Sequence, residues 1–211
     1  MICCVSDWHI DNGHNEFSWH YKQAHDFLDF VGKEPLFMIG DTLELWACEW
    51  YEVWGGPYEP LLKRIRERPY DTTIFQGNHD IQALVLQRFF PEAEVVTSRI
   101  VGDRQVFHGF QVDPILDTPE ERWLIAGIDR ACTLIDIPWL NALRDRIADA
   151  DRSNKPLIQR LKNAKKRVRY LMGHSHIEEN LGWFVNCGSL LRSDFPYVEL
   201  EENGDAALKF F

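Results

Sequence analysis

Apolar residues in this chain gather into short runs that break at Gly, Asp, Asn or His. Ile2–Val5 leads to Asp7, Leu36–Ile39 to Gly40-Asp41, and Thr73–Phe75 to Gly77-Asn78-His79-Asp80. Val106-Phe107 leads to His108 in the same way, and Tyr170–Met172 to Gly173-His174. Runs this short and continuous read as buried strands whose C-terminal ends open into loops. Tyr21–Val31 and Tyr58–Arg68, lying between the first of them, read as amphipathic helices. Strands alternating with helices predict a layered α/β core with a sheet between helices. Trp183–Cys187 and Tyr197–Leu200 add two strands, with Glu201-Glu202-Asn203-Gly204-Asp205 as a hairpin turn, so the sheet is expected to be mixed.

The 211 residues carry no internal repeat and no low-complexity linker, so one domain over 1–211 is expected. Gly109 to Lys166 looks helical, lies between two of the strands that end in polar clusters, and reads as an insertion or lid. With 45% hydrophobic and 27% charged residues, a persistently disordered state is excluded. The net charge of −10 argues against general binding to a nucleic-acid backbone, which needs a basic face. No apolar run approaches the roughly 18 residues of a membrane-spanning helix. The opening Met1-Ile2-Cys3-Cys4-Val5 has no basic n-region, so a cytoplasmic location is expected. Cys3, Cys4, Cys48, Cys132 and Cys187 are odd in number and form no Cys-x-x-Cys pair, and they read as reduced, buried small side chains.

The polar clusters change the picture from fold to chemistry. Asp7 and His9 stand two positions apart at the end of an extended segment, so their side chains are expected on one face. Asp41 follows the second strand, Asn78 and His79 the third, His108 the fourth, and His174 with His176 the fifth. Open α/β sheets build their sites at the carboxyl ends of strands. Carboxylates, imidazoles and an amide are the donors that two adjacent borderline metal ions need. A single His beside an apolar run is ordinarily a packed core residue. Five such clusters in register point to one shared site.

Together, Asp7-x-His9, Gly40-Asp41-x-x-Glu44, Gly77-Asn78-His79-Asp80, His108 and Gly173-His174-x-His176 resemble the signature of the calcineurin-like metallophosphoesterases. The resemblance runs from Asp7 to about Ser189. It implies a four-layer α/β/β/α sandwich with mixed sheets and a dinuclear metal centre. Asp7, His9, Asp41 and His176 would hold one ion, and Asp41, Asn78, His108 and His174 the other, with Asp41 bridging. Mn²⁺ is the first expectation for both ions, and Fe, Zn, Ni, Co or Mg are the alternatives. The implied reaction is metal-dependent hydrolysis of a phosphoric ester by in-line displacement. His79 would serve the leaving oxygen as the catalytic acid, with Asp80 or Glu44 holding its tautomer. Glu44 stands where the family motif usually ends in Asp. Leu45 stands where its protein phosphatases often carry Arg, which argues against a phosphoprotein phosphatase.

Substrate choice is less directly written. Gly40-Asp41-Thr42-Leu43-Glu44-Leu45-Trp46, and His108-Gly109 with Asp113 beyond, resemble the branch that includes the UDP-diacylglucosamine hydrolases. His79 departs from that branch, which commonly has Arg there. A phosphodiester or pyrophosphate in a small or amphiphilic molecule is therefore expected. A broad phosphomonoesterase or a (cyclic) nucleotide phosphodiesterase is the alternative, followed by a nuclease and a non-catalytic binding scaffold. Trp46, Trp50 and Trp54 recur every four residues and would form one helical stripe, either packed on the core or walling the site. Arg144–Arg169 holds 10 of the 23 basic residues. Its cluster Lys162, Lys165, Lys166, Arg167 and Arg169 reads as a solvated helix face, an anion clamp or a peripheral membrane contact. Leu134, Ile135, Ile137, Trp139, Leu140 and Leu143 precede it as an apolar stretch.

Overall fold

Two mixed sheets, as the family resemblance implies, organise the computed structural model, which describes residues 1–11, 20–68, 70–112, 154–163, 168–190 and 194–211. The strands are β1 (Ile2–Val5), β2 (Leu36–Ile39), β3 (Thr72–Phe75), β4 (Glu94–Val96), β5 (Ser98–Val101), β6 (Arg104–Phe107), β7 (Arg169–Met172), β8 (Glu179–Asn180), β9 (Phe184–Asn186), β10 (Pro196–Leu200) and β11 (Ala206–Phe210). The helices are α1 (Tyr21–Val31), α2 (Trp50–Val53), α3 (Glu59–Arg66), α4 (Ala83–Phe89) and α5 (Asn154–Asn163).

The first sheet has the order β11-β10-β1-β2-β3-β4, and the second β5-β6-β7-β9-β8. β1 to β4 are parallel neighbours, while β10 runs antiparallel to β1 and forms the expected hairpin with β11. In the second sheet β6, β7 and β9 are parallel, with antiparallel β5 and β8 at the edges. The chain changes sheets at Thr97, between β4 and β5. The apolar runs by themselves do not show this division, because they are buried on both faces and lack the alternation that would betray their layer; the four-layer sandwich implied by the family resemblance contains it.

Alternation within each strand nevertheless sorts the side chains. Cys4, Phe37, Ile39 and Phe75 meet Val106, Leu171, Val185 and Cys187 between the sheets. Cys3, Val5, Leu36, Met38 and Ile74 point the other way, toward Phe27 and Leu28 of α1, Leu61 and Ile65 of α3, and Leu86 and Phe89 of α4. On the far side of the second sheet, Phe107, Tyr170, Met172 and Phe184 pack on Leu157 and Leu161 of α5. The result is the α/β/β/α layering. Each fully buried aliphatic or aromatic side chain contributes roughly 1.5–3 kcal/mol of transfer free energy.

α1 shows how locally the pattern is written. Ala24, Phe27, Leu28 and Val31 recur on one face and are the residues it buries. Gly32, at φ 54, ends the helix with its N–H bonded to the Leu28 carbonyl.

Two expectations require correction. The Trp46, Trp50 and Trp54 stripe is not one helix, because α2 covers only Trp50–Val53. Glu44 Oε1 accepts hydrogen bonds from the Trp46 and Ala47 amides, and Glu49 with Glu52 forms a capping box that starts the helix after Trp46. Arg169 belongs to no helix face: it lies on β7 and pairs with Asp103 and Asp205. Of the stretch expected as a helical insertion, 109–112, α5 and part of its basic run are described. Leu134 to Leu143, Cys132, Asp113, Lys165, Lys166 and Arg167 lie outside the described residues.

Arg104 is buried on β6 and donates to the carbonyls of Gly204 (2.8 Å), Tyr170 (2.7 Å) and Gly182 (2.9 Å). It thereby ties the β10–β11 turn and the β8–β9 turn to the second sheet. Arg104→Met is expected to destabilise the protein by about 3 kcal/mol, since the buried carbonyls of Tyr170 and Gly204 lose a charged donor and the exposed Gly182 loses its tie to the sheet. Urea unfolding followed by circular dichroism reads this directly, and an unchanged midpoint would contradict the assignment.

Candidate metal centre

The loops that leave β1, β2 and β7 do so through backbone that side chains rarely adopt. Asp7 (φ 54), His9 (φ 48), Asp41 (φ 49), His174 (φ 76) and His176 (φ 56) are left-handed, and Phe195 is the other non-glycine case among the described residues. Such conformations cost of order 1–3 kcal/mol each and persist where surrounding structure enforces them. Asp7 and His9 therefore converge through two left-handed turns, and the extended geometry expected from their spacing does not occur. The turns are held by Asp7 N to Gly40 O (3.2 Å), His9 N to Asp41 O (2.9 Å) and Ile10 N to Thr42 O (3.0 Å). These bonds continue the β1–β2 pairing past the ends of both strands.

Close backbone approach explains two of the glycines. A Cβ on Gly77 would overlap the Asp41 carboxylate and amide, and one on Gly173 would overlap Ser6 Oγ and meet Asp7 Oδ2. Ser6 and Ser189, which the sequence reading passed over, fasten the same region through Ile39 O (2.7 Å) and Asp7 O (2.8 Å). So does Asn186, whose side chain donates to Gly173 O at 2.7 Å. Its place at the end of an apolar run, before Cys187-Gly188, was the available signal.

The seven candidate ligands, with Glu44 and His79, come together. His108 Nε2 lies 3.1 Å from both Asp41 Oδ2 and Asn78 Oδ1, and its Nδ1 bonds to the Ile39 carbonyl at 2.8 Å. His9 Nε2 is 3.1 Å from His176 Nε2 and 3.9 Å from Asp41 Oδ2. Three imidazole nitrogens surround Asp7 Oδ1, from His176 at 3.3 Å, His108 at 3.9 Å and His9 at 4.0 Å. That oxygen is fully buried and accepts no hydrogen bond from the described residues, while Oδ2 accepts from the His174 amide. A buried carboxylate oxygen without a donor, ringed by imidazoles, suits a cation. Asp7, His9 and His176 form one group able to hold an ion, and Asp41, His108 and His174 form another. His9, Asp41 and His79 also lie close enough to do so.

Glu44 divides its two oxygens between two imidazoles. Oε2 meets His9 Nδ1 and Oε1 meets His79 Nδ1, both at 2.8 Å. Trp46 stacks on His79, with centroids 4.0 Å apart and planes 20° from parallel. Asp80, by contrast, receives the amides of Gly77 (2.8 Å), Thr42 (2.7 Å), Leu43 (3.1 Å) and Asp41 (3.3 Å).

Charge follows this geometry. Burial raises the Asp7 and Asp41 carboxyls, yet His108 and the other nearby imidazoles outweigh it and hold both below the ordinary carboxylate range. Glu44 is likewise raised by burial but held well below that range by His79 and His9. Burial lifts Asp80 to about 6, aided by Asp41 and opposed by the Gly77 and Leu43 amides. Burial lowers His108, but Asp41 and Asp7 overcome this and raise it to about 9.

Over residues 1–207 the sequence matches the family described as calcineurin-like phosphoesterase. The chain belongs to that family. As a calcineurin-like phosphoesterase it is a metal-dependent phosphoester hydrolase, and its His and Asp clusters provide groups that could bind the metal. An archaeal phosphodiesterase is similar in structure, with a TM-score of 0.47 at 11% identity over 100% of this chain and 99% of its own. A protein of unknown function from Aquifex aeolicus gives 0.43 at 15% identity, over 86% and 81% of the two chains. A cold-active protein tyrosine phosphatase gives 0.38 at 13%, over 98% and 78%. No curated protein matches the sequence. Among the described residues no helix is long and apolar enough to cross a membrane.

The raised His108 makes a pH prediction for the metal-free phosphoesterase. Its folded value of about 9 lies above the ordinary 6.5, so its contribution is complete below pH 6.5 and is lost as pH rises through about 9. Denaturant unfolding in EDTA at pH 6.5, 7.5 and 8.5 is expected to show stability falling by up to about 1.4 kcal/mol per pH unit for this proton. A flat profile would contradict the shift.

Proposed function

We propose that this phosphoesterase hydrolyses a phosphodiester or pyrophosphate bond at a dinuclear centre in which Asp41 bridges. Asp7, His9, Asp41 and His176 would hold one ion, and Asp41, Asn78, His108 and His174 the other. The observation that carries this reading is the position of Asp41 Oδ2, 3.1 Å from His108 Nε2 of one group and 3.9 Å from His9 Nε2 of the other. Two divalent ions there would lower the pKa of water and withdraw charge from the attacked phosphate.

The chain's own residues do the rest. His79 is the proton donor to the leaving oxygen, through Nε2, because Nδ1 is turned to Glu44. Glu44 fixes that orientation through its 2.8 Å contact with Nδ1. Asp80 holds the loops instead: its four amide bonds join the turn after β2 to the turn after β3, and so set Asp41 against Asn78 and His79. Trp46, stacked on His79, forms a wall on the leaving-group side. The whole of 1–211 serves as one domain in this reading, with the stretch from about 109 to 166 as its insertion.

The resemblance of Gly40–Trp46 to the UDP-diacylglucosamine hydrolase branch supports an amphiphilic nucleotide-sugar substrate. Turnover of Mn²⁺-loaded protein on a UDP-diacylglucosamine, a cyclic nucleotide and a simple phosphomonoester, with metal content measured on the same sample, tests this. Preference for the lipid nucleotide is expected. Preference for the monoester would overturn both the bond class and the branch.

His79→Ala is expected to keep its metal and lose at least about a hundredfold in kcat. Elemental analysis alongside kcat separates the two effects, and unchanged turnover in fully loaded enzyme would remove the acid role.

A further inference from the structure

The loop 173–177 carries two imidazoles on left-handed backbone, and something outside the loop must hold it in that shape. Its anchors alternate with its presented side chains. The Gly173 carbonyl accepts from Asn186 Nδ2 at 2.7 Å. The Ser175 hydroxyl donates to Asn154 Oδ1 at 2.5 Å, and the Ile177 carbonyl accepts from Asn154 Nδ2 at 3.0 Å. Asn186 Nδ2 also donates to Asn154 Oδ1, at 2.9 Å, and Asn186 Oδ1 accepts from the Gly188 amide. The odd positions 173, 175 and 177 are thus gripped from behind, while His174 and His176 between them face the carboxylates. Asn154, Ser175 and Asn186 are all buried, so water does not readily replace these bonds.

Asn154 contacts neither Asp7 nor Asp41 in this network. It is the first residue of α5, whose Leu157 and Leu161 are packed under the second sheet beside Tyr170 and Met172 of β7. The helix therefore places an amide with both a donor and an acceptor directly behind the loop. The two functions are used on two different residues of that loop.

We infer that Asn154 is a positioning residue for the metal centre: from α5 it enforces the turn that aims His174 and His176. This rests on the reading of those two residues as ligands. Side chains that orient metal ligands from behind typically change affinity by about 10–100-fold when removed. The fingerprint is a change in metal affinity that excess metal repairs. Lost packing alone would lower turnover at every metal concentration.

The test compares wild type, Asn154→Ala, Asn154→Asp and Ser175→Ala. Asn154→Asp keeps an acceptor for Ser175 and Asn186 but loses the donor to Ile177. Free Mn²⁺ is followed by electron paramagnetic resonance during titration of the metal-stripped proteins, and kcat is measured as a function of Mn²⁺. The two Asn154 variants are expected to bind Mn²⁺ at least about tenfold more weakly and to recover wild-type kcat at saturating Mn²⁺, with Ser175→Ala weakened less. Should Asn154→Ala fail to fold, Asn154→Asp and Ser175→Ala decide the matter. Unchanged Mn²⁺ affinity in the folded variants overturns the inference and leaves the metal centre standing. Wild type that binds no Mn²⁺ overturns the ligand reading and this inference with it.

Discussion

Asp7 and Asp41 are two carboxylates with almost no access to solvent, held close together on backbone that side chains avoid. Desolvation alone would keep such groups neutral. They are held below the ordinary carboxylate range because His108, His176, His79 and His9 are packed around them. Much of the surrounding structure can be read as the scaffolding that this charge balance requires. Parallel strands end side by side, glycines let Asp41 and Ser6 approach within the loops, and Asp80 draws two turns together through amides.

The gathering of the candidate site residues was legible in the pattern of the chain itself. Polar residues at the ends of apolar runs are a strong local signal, and Asp7, His9, Asp41, Asn78, His108, His174 and His176 all arrive in one place. The strand runs were legible too, and α1 falls on its expected residues. The partition into two sheets could not be read from the runs themselves, because Leu36–Ile39 and Tyr170–Met172 are equally apolar although they belong to different sheets; it came from the resemblance of the motifs to a family of four-layer sandwiches. Short polar strands such as Glu179–Asn180 carry no period to detect. The geometry of Asp7 and His9 was also out of reach, since spacing of two implies one face only if the backbone stays extended.

Glu44 shows what a longer side chain allows. Its two oxygens reach His9 and His79 together while Oε1 also accepts two amides from the following turn. The same turn carries Trp46 onto the His79 ring. A residue that appears in the sequence as a variation on a motif is here the link between a candidate ligand, a candidate proton donor and the Trp46 ring stacked on it.

The two sheets contribute unequal and complementary shares of the centre. Asp7, His9, Asp41 and Asn78 follow strands of the first sheet, and His108, His174 and His176 follow strands of the second. On the proposed assignment neither sheet alone carries a full set for either ion. Each ion, once held, would therefore act as a crosslink across the seam between the sheets, much as a disulfide joins distant segments of chain. Loss of metal would then loosen the molecule along a single plane, and the hydrophobic layer of Cys4, Phe37, Val106 and Leu171 would be left to hold the halves together by itself.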